Sequence, residues 1–151
     1  MKIEKTSLQL SNVLSLKQKA KVYEWYLIGL EMRKFIVKHD YYPTGPIFFT
    51  SEPTKIKDTY IYNVSMPINA PVIFEGDDEN KGFTFTQKLS FPDGLMFRHL
   101  DMDEPLEKTY LLLQSAAEQN MLVLEKPFLN IFLDVYNDGV IDVFAPIKAV
   151  K

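Results

Sequence analysis

Two stretches of the chain repeat one pattern: "YNVSMPI" at Tyr62–Ile68 and "IDVFAPI" at Ile141–Ile147. Each has the alternating side chains of a strand and ends in Pro-Ile, and their prolines are 79 residues apart. Pro46 and Pro127 are separated by a similar interval of 81 residues. A nearly constant offset, about half of the 151-residue chain, predicts that one structural module occurs twice.

The first half of the chain is predicted to run strand, helix, strand, strand. A strand in "IEKTSLQL" precedes a helix from about Leu16 to Lys38, which we expect to begin with a capping box of Ser15 and Gln18 and to end before Pro43. The strands "TGPIFFTS" and "TYIYNVSMPI" follow that helix.

The second half repeats this order. The strands "FTFTQKLSF" and "LMFRHL" are joined by the turn residues Pro92-Asp93-Gly94, and they precede a helix that Asp103 or Glu104 can cap and that ends near Gln119-Asn120. The strands "PFLNIFLDVY" and "VIDVFAPI" then flank the turn "NDG". The predicted fold is therefore α+β, with two βαββ modules related by pseudo-twofold symmetry, an antiparallel sheet and two main helices.

The length favours a single domain over residues 1–151. Within it we place module one at about 1–70, a connector at about 71–81 and module two at about 82–151. The carboxylate-rich "EGDDEN" at Glu75–Asn80 lacks the ligand alternation of a calcium loop, so we interpret it as part of the connector.

The composition excludes several classes of protein. The chain contains no cysteine, which excludes a thiol nucleophile, a thiolate metal site and a disulfide. Its formal net charge of −3 has the wrong sign for a domain that neutralises phosphates, so we predict no nucleic-acid partner. The first residues lack the apolar core of a signal peptide and no apolar run could cross a bilayer, which predicts no membrane partner and a cytoplasmic location.

The stretch "LSFPDGLMFRHLDMDEPLEKTYLLL" contains a Pro-x-Gly turn, a strand, a histidine and a helix with Thr-Tyr and Leu. In this order it resembles the second half of the GyrI-like effector-binding domains, and the closing "DVFAPI" resembles the last strand of that family. The chain differs from the family at Asp101-Met102-Asp103, where relatives have Gly-Pro-Tyr. The matching positions are Pro92, Gly94, His99, Glu104, Leu106, Thr109, Tyr110 and Leu113.

The resemblance implies a groove between two modules that binds small, often cationic aromatic molecules. Relatives fused to a DNA-binding segment regulate transcription, and we expect this chain to be a stand-alone copy without that segment. Some relatives hydrolyse small ligands, so an enzyme stays open. We favour a non-enzymatic binder with no catalytic residue, no metal and no cofactor.

The last hairpin offers a candidate ligand site. If residues 137–139 form a three-residue loop, Asp134 lies opposite Asp142 and Phe132 lies opposite Phe144. Two carboxylates opposite each other repel, so the pair needs either an organic cation as ligand or a neighbouring Lys148 or Lys126. With Trp25 as a second wall, the predicted ligand-binding residues are Trp25, Phe132, Asp134, Tyr136, Asp142 and Phe144.

The first helix has apolar residues on two opposite faces, although a helix that lies on a sheet needs only one. One face carries Leu16, Ala20, Tyr23, Leu27 and Leu30, and the other carries Trp25, Ile28, Met32 and Phe35. The second set either packs in the core or binds a protein partner or a second copy in a homodimer. This is the alternative function: an accessory interaction module that uses an exposed apolar face of the first helix.

The two histidines are interpreted as structural. His39 ends the first helix, where a cation suits the helix dipole, and His99 has no neighbouring nucleophile motif, so a structural or groove-lining role is favoured over general-base catalysis.

Overall fold

The computed structural model describes residues 2–74 and 82–148, so the predicted connector residues Glu75–Asn80 lie outside the described part. Within the described ranges, the chain forms six strands and two helices, which occur as two copies of the order strand, helix, strand, strand. The predicted α+β class and βαββ repeat are confirmed. In chain order the elements are β1 (Glu4–Lys21), α1 (Trp25–Lys38), β2 (Phe48–Pro53), β3 (Thr59–Pro67), β4 (Phe83–His99), α2 (Leu106–Gln119), β5 (Leu129–Val135) and β6 (Asp138–Pro146).

The chain divides into two compact units, which we name after their helices. The α1 unit consists of Leu10–Leu89, and the α2 unit consists of Met1–Gln9 with Ser90–Lys151. The bounds of these units differ from those predicted for the two modules, about 1–70 and 82–151. The division into modules within a single domain stays a prediction.

In the α1 unit, β3 pairs antiparallel with β1 on one side and with β2 on the other. Its residue Ser65 lies opposite both Ser15 and Phe48. The helix α1 contacts β3, and the apolar side chains between them are withdrawn from solvent. The buried set includes Leu14, Leu16, Ile28, Met32, Phe35, Phe49, Tyr62 and Val64.

In the α2 unit, β6 is the strand with two antiparallel neighbours, β4 and β5. Arg98 of β4 and Ile131 of β5 both lie opposite Asp142 of β6. The helix α2 contacts β6. The buried apolar set of this unit includes Leu95, Leu113, Leu129, Ile131, Val140, Ile141, Val143 and Phe144.

The predicted start of the first helix is wrong. Positions 16 to 21 belong to β1, where Leu16 lies opposite Val64 and Lys21 lies opposite Thr59, and α1 begins only at Trp25. Ser15 does not cap a helix, because its hydroxyl forms a buried hydrogen bond of 2.7 Å with the hydroxyl of Ser65. Strand pairing with β3 therefore outweighed a local capping pattern.

The predicted register of the last hairpin is also wrong. Tyr136 and Asn137 have φ values of 52° and 71° and form a two-residue turn, so Val135 lies opposite Asp138. Asp134 lies opposite Gly139 and not opposite Asp142. Left-handed values at both central residues are those of the type I′ turn that matches the twist of a hairpin.

Of the described residues, neither helix combines the length and the hydropathy that a membrane-spanning helix needs.

Candidate functional site

The α2 unit has one strand face that is covered by its helix. The hydroxyl of Tyr110 on α2 donates to Asn130 Oδ1 of β5 at 2.6 Å, and Thr109 on α2 lies 2.8 Å from His99 Nδ1 of β4. His99 and Asn130 therefore point towards α2. Because successive strand residues point to opposite faces, Asp142 and Phe144 point to the face away from α2.

Asp142 on that face is paired with Arg98. The guanidinium donates from Nε to Oδ1 at 2.7 Å and from Nη2 to Oδ2 at 3.0 Å, which is the two-point geometry of a strong charge-assisted contact. The Asp142 side chain is only 14% exposed, whereas that of Arg98 is 42% exposed. The hydrogen bond and the charge of Asp142 raise the pKa of Arg98, with a smaller contribution from Glu4.

Arg98 is the residue that sequence reasoning missed. Lys148 or Lys126 was predicted to compensate a pair of carboxylates, but the cation beside Asp142 comes from the neighbouring strand β4. The only local signal was the position of Arg98 in the alternating stretch "LMFRHL", which does not indicate its partner.

Phe144 lies two residues after Asp142 on the same face and is 0% exposed. Its ring lies directly against Gly94: a Cβ added at Gly94 would be 2.3 Å from Phe144 Cζ. Phe91 is a second neighbour, with the two ring centroids 5.7 Å apart. Phe144 is therefore a buried aromatic residue next to the Arg98–Asp142 pair.

The other predicted residues of the hairpin do not share this face. Phe132 lies opposite Ile141, and Asp134 lies opposite Gly139, so both side chains point to the face of His99 and Asn130. Tyr136 occupies the turn and is 97% exposed. The prediction that all five hairpin residues line one face is wrong, because the real register differs from the predicted one by an odd number of residues.

Trp25 belongs to an aromatic cluster of the α1 unit. Its ring stacks on Phe49 with centroids 4.5 Å apart, and Phe49 makes an edge contact with Tyr62 at 5.9 Å. The hydroxyl of Tyr62 accepts a hydrogen bond from the backbone N–H of Tyr23 at 3.2 Å, which ties the cluster to the start of α1.

The face of α1 that carries Trp25 is the core face. Ile28, Met32 and Phe35 are buried within the chain, and Met32 is 0% exposed. The hypothesis that this face is open to a protein partner or a second copy is wrong. The other face, with Leu27 and Leu30, is exposed instead.

Each unit has a concave surface beside its helix. In the α1 unit a groove of about 990 Å³ runs between α1 and β1 and is lined by basic, acidic and apolar side chains, among them Lys19, Leu27, Leu30, Glu31 and Lys34. In the α2 unit a smaller pocket of about 360 Å³ is lined by Arg98, His99, Glu104, Lys108 and Thr109 among others.

His99 lines that pocket, and both of its ring nitrogens form hydrogen bonds within the protein. A carbonyl oxygen only accepts, so Nε2–H donates to the Glu104 carbonyl at 2.9 Å, and in the neutral ring Nδ1 accepts from the Thr109 hydroxyl. Both ring nitrogens thus connect β4 to the start of α2. Across the described ranges, His, Asp and Glu side chains form no group of three or more that could hold a metal ion.

No protein-family model matches the chain, and no curated protein matches its sequence. Solved structures do match its fold. EcmrR in the cryo-EM structure of an EcmrR–DNA complex has a TM-score of 0.75 at 13% identity, with 98% of this chain and 58% of that chain covered. This chain therefore spans a little more than half of that EcmrR chain.

Two further structures match nearly the whole chain. The crystal structure of the EcmrR C-terminal domain has a TM-score of 0.69 at 10% identity and covers 99% of this chain and 100% of that one. SAV2435 bound to tetraphenylphosphonium has a TM-score of 0.50 at 11% identity, with 99% and 95% covered. At such identities these matches are evidence for the fold alone.

Proposed function

We propose that the chain is a non-enzymatic small-molecule-binding protein of the GyrI-like type, and that its ligand is an organic cation with aromatic groups. Support comes from the fold shared over 99% of this chain with SAV2435, a protein solved with tetraphenylphosphonium, itself an aromatic cation. A cation of this kind is attracted both to carboxylates and to aromatic faces.

We base the position of the site on one observation: a poorly exposed carboxylate, Asp142, lies beside the buried ring of Phe144 on the face away from α2. A carboxylate with little access to water attracts a cation more strongly than an exposed one. Tyr136 in the turn of this hairpin stays in the proposal as a further ligand contact, whereas Phe132 and Asp134 point to the other face and Trp25 belongs to the α1 unit.

Arg98 acts as an internal competitor in this proposal. Its guanidinium already occupies both oxygens of Asp142, so a cationic ligand gains the full attraction of the carboxylate only when Arg98 moves away. Because 42% of the Arg98 side chain is exposed, the guanidinium can turn towards water. The pair thus holds the site neutral in the absence of a ligand.

The experiment measures binding of tetraphenylphosphonium, and of triphenylphosphine oxide as a neutral analogue, by calorimetry and thermal shift. The Asp142→Asn variant should bind the cation about tenfold or more weakly, since a contact to a charged group is worth about 1.5–3 kcal/mol. The Arg98→Gln variant should bind it more tightly, because the competing cation is gone.

Asp134→Asn is the matched control, because Asp134 points to the other face of the same hairpin. We expect its affinity for the cation to equal that of the unmodified chain. Equal affinities for the cation in Asp142→Asn and Arg98→Gln, or no binding of either compound to the unmodified chain, would contradict the proposed site. Melting temperatures without ligand show whether each variant is folded.

A further inference from the structure

Arg98 has two environments within the α2 unit. On the face away from α2 its guanidinium donates to Asp142 from Nε at 2.7 Å and from Nη2 at 3.0 Å. The same residue also lines the pocket of about 360 Å³ beside the start of α2, together with Asp101 and Lys108. Arg98 is the last residue but one of β4, and 42% of its side chain is exposed. At the end of the strand this long side chain can therefore turn from Asp142 towards the pocket.

The pocket contains two carboxylates, and one of them is neutralised there. Glu104 Oε2 lies 2.6 Å from Lys108 Nζ. The hydrogen bond and the charge of Glu104 raise the pKa of Lys108, and the charge of Asp101 adds a smaller contribution. Within the part of the chain that the structure describes, no basic side chain forms an ion pair with Asp101. Asp101 is thus the carboxylate of the pocket that can accept a guanidinium.

The backbone holds Asp101 close to Arg98. The two residues are three positions apart, so their Cα atoms would be about 11 Å apart at most in a fully extended chain. The chain bends after β4, because the Asp101 carbonyl accepts from the N–H of Glu104 at 3.0 Å. Asp101 Oδ1 also accepts from the N–H of Asp103 at 3.0 Å, which orients the carboxylate and leaves Oδ2 for a second donor.

We propose that Asp101 is a positioning residue, which receives the guanidinium of Arg98 when a cationic ligand replaces it at Asp142. This inference rests on the proposed function, because it assigns the destination of the group that the ligand displaces. Arg98 then has a carboxylate partner in both states. The apparent affinity for a ligand falls with the fraction of molecules in the competent state, so Asp101 strengthens cation binding by raising the fraction in which Asp142 is accessible.

The feature belongs to this chain rather than to the GyrI-like pattern. Asp101-Met102-Asp103 stands where relatives have Gly-Pro-Tyr. A glycine at the first of these positions has no side chain that could hold a guanidinium. The departure at Asp101 therefore has a physical consequence only together with Arg98, which makes the two residues a testable pair.

The first experiment is a double-mutant cycle with tetraphenylphosphonium as the ligand. Asp101→Asn keeps an acceptor for the N–H of Asp103 and removes only the charge. It should weaken binding of the cation about two- to fivefold, the scale of an exposed ion pair. In the Arg98→Gln chain the same substitution should leave the affinity unchanged, because no guanidinium remains to be received.

Asp103→Asn is the matched control for this cycle. It removes a carboxylate two residues away that does not line the pocket. Its affinity for tetraphenylphosphonium should equal that of the unmodified chain. Melting temperatures without ligand show whether each variant is folded.

The second experiment needs no ligand and uses Asp142→Asn to reproduce the displaced state. Arg98 then loses the charge of its present partner, and we expect it to pair with Asp101. The exchange of the Arg98 Nε–H proton with water, followed by NMR, reports that pairing. Exchange should stay slow in Asp142→Asn and become severalfold faster when Asp101→Asn is added. In the unmodified chain Asp101→Asn should leave the exchange rate unchanged.

The outcomes separate this inference from the proposed function. If Asp142→Asn weakens cation binding but Asp101→Asn has the same effect with and without Arg98, or no effect, the proposed function stands and the inference is overturned. Equal exchange rates in Asp142→Asn with and without Asp101→Asn would overturn it as well, even if the cation binds. Absence of cation binding to the unmodified chain would instead refute the proposed function, and with it the role of Asp101 in ligand binding.

Discussion

The pairing of Asp142 with Arg98 shows what can be inferred about a single residue from local sequence. The sequence predicted a compensating charge for a pair of Asp134 and Asp142, but that pair does not form, and Asp142 alone is paired with Arg98. The identity of the partner was not predictable, because Arg98 is 44 residues away and becomes a neighbour only through the pairing of β4 with β6. Charge balance is a local expectation, whereas the choice of partner depends on register.

The close packing of Gly94 against Phe144 leads to a prediction for a single residue. A methyl group at position 94 would lie 2.3 Å from the fully buried ring of Phe144, which has no room to move. Gly94→Ala should therefore lower the free energy of unfolding by about 1–3 kcal/mol, measured by chemical denaturation. Replacing Phe144 by Leu in the same chain should recover part of this loss, because the smaller side chain leaves space for the methyl group.

Gly29→Ala is the control for this prediction. A methyl group there would meet only the flexible tip of Ile47, at 3.0 Å, and alanine is favoured over glycine inside a helix. Its stability should be unchanged or slightly higher. If Gly94→Ala were as stable as Gly29→Ala, the close packing of Phe144 against β4 would be refuted.

Among the elements, the β5–β6 hairpin shows why register is difficult to predict. The sequence "YNDGV" contains an Asn-Asp-Gly signal that favours a loop at residues 137–139. The structure places the turn at Tyr136-Asn137 and leaves Gly139 inside β6, opposite Asp134. A shift by an odd number of residues exchanges the two faces of a strand, which explains why the predicted site residues were divided.

The turn at Tyr136-Asn137 suggests a substitution that should stabilise the protein. Tyr136 adopts a φ of 52°, which is unfavourable for a large side chain, and Asn137 adopts 71°. The double variant Tyr136→Asn with Asn137→Gly has the preferred residues of a type I′ turn, and it should raise the free energy of unfolding by about 1 kcal/mol. Thermal denaturation measures the effect.

Asn137→Val supplies the opposite case and should destabilise the hairpin, because a β-branched residue strongly disfavours a positive φ. A lower melting temperature for the Asn-Gly variant would mean that the turn lies elsewhere.

Cation binding by Tyr136→Asn also tests whether Tyr136 contacts the ligand, since this change keeps the turn.

The first helix shows a second limit of sequence reasoning. Lys17, Lys19 and Lys21 alternate with Gln18 and Ala20, which is a strand pattern, yet Ser15 and Gln18 also match a capping box. Both signals are local and of similar strength. The pairing of β1 with β3 decided between them.

For the molecule as a whole, the repeat of strand, helix, strand, strand was predictable from the offset of its prolines and turns, and the described elements confirm it. Similarity of fold to EcmrR in a DNA complex does not transfer DNA binding, because this chain spans only 58% of that chain. Net charge is the property that bears on this question, and here it is −3.

We predict from this charge that the chain does not bind duplex DNA without regard to sequence. A labelled random-sequence duplex should show no change in fluorescence anisotropy with micromolar protein, even at low salt, where contacts to phosphates are strongest. Binding that weakens steeply as salt is added would contradict the prediction.

The sequence determined the features that depend on residues close together in the chain. These are the α+β class, the duplicated order of elements and the position of the turn after β5 to within a few residues. These follow from alternation, proline and turn signals that act over a few positions. Tertiary structure alone decided the start of α1, the register of β5 with β6, the pairing of Asp142 with Arg98 and the burial of Ile28, Met32 and Phe35. Each of these depends on contacts between residues that are far apart in the chain, where the free energy of packing outweighs small local preferences.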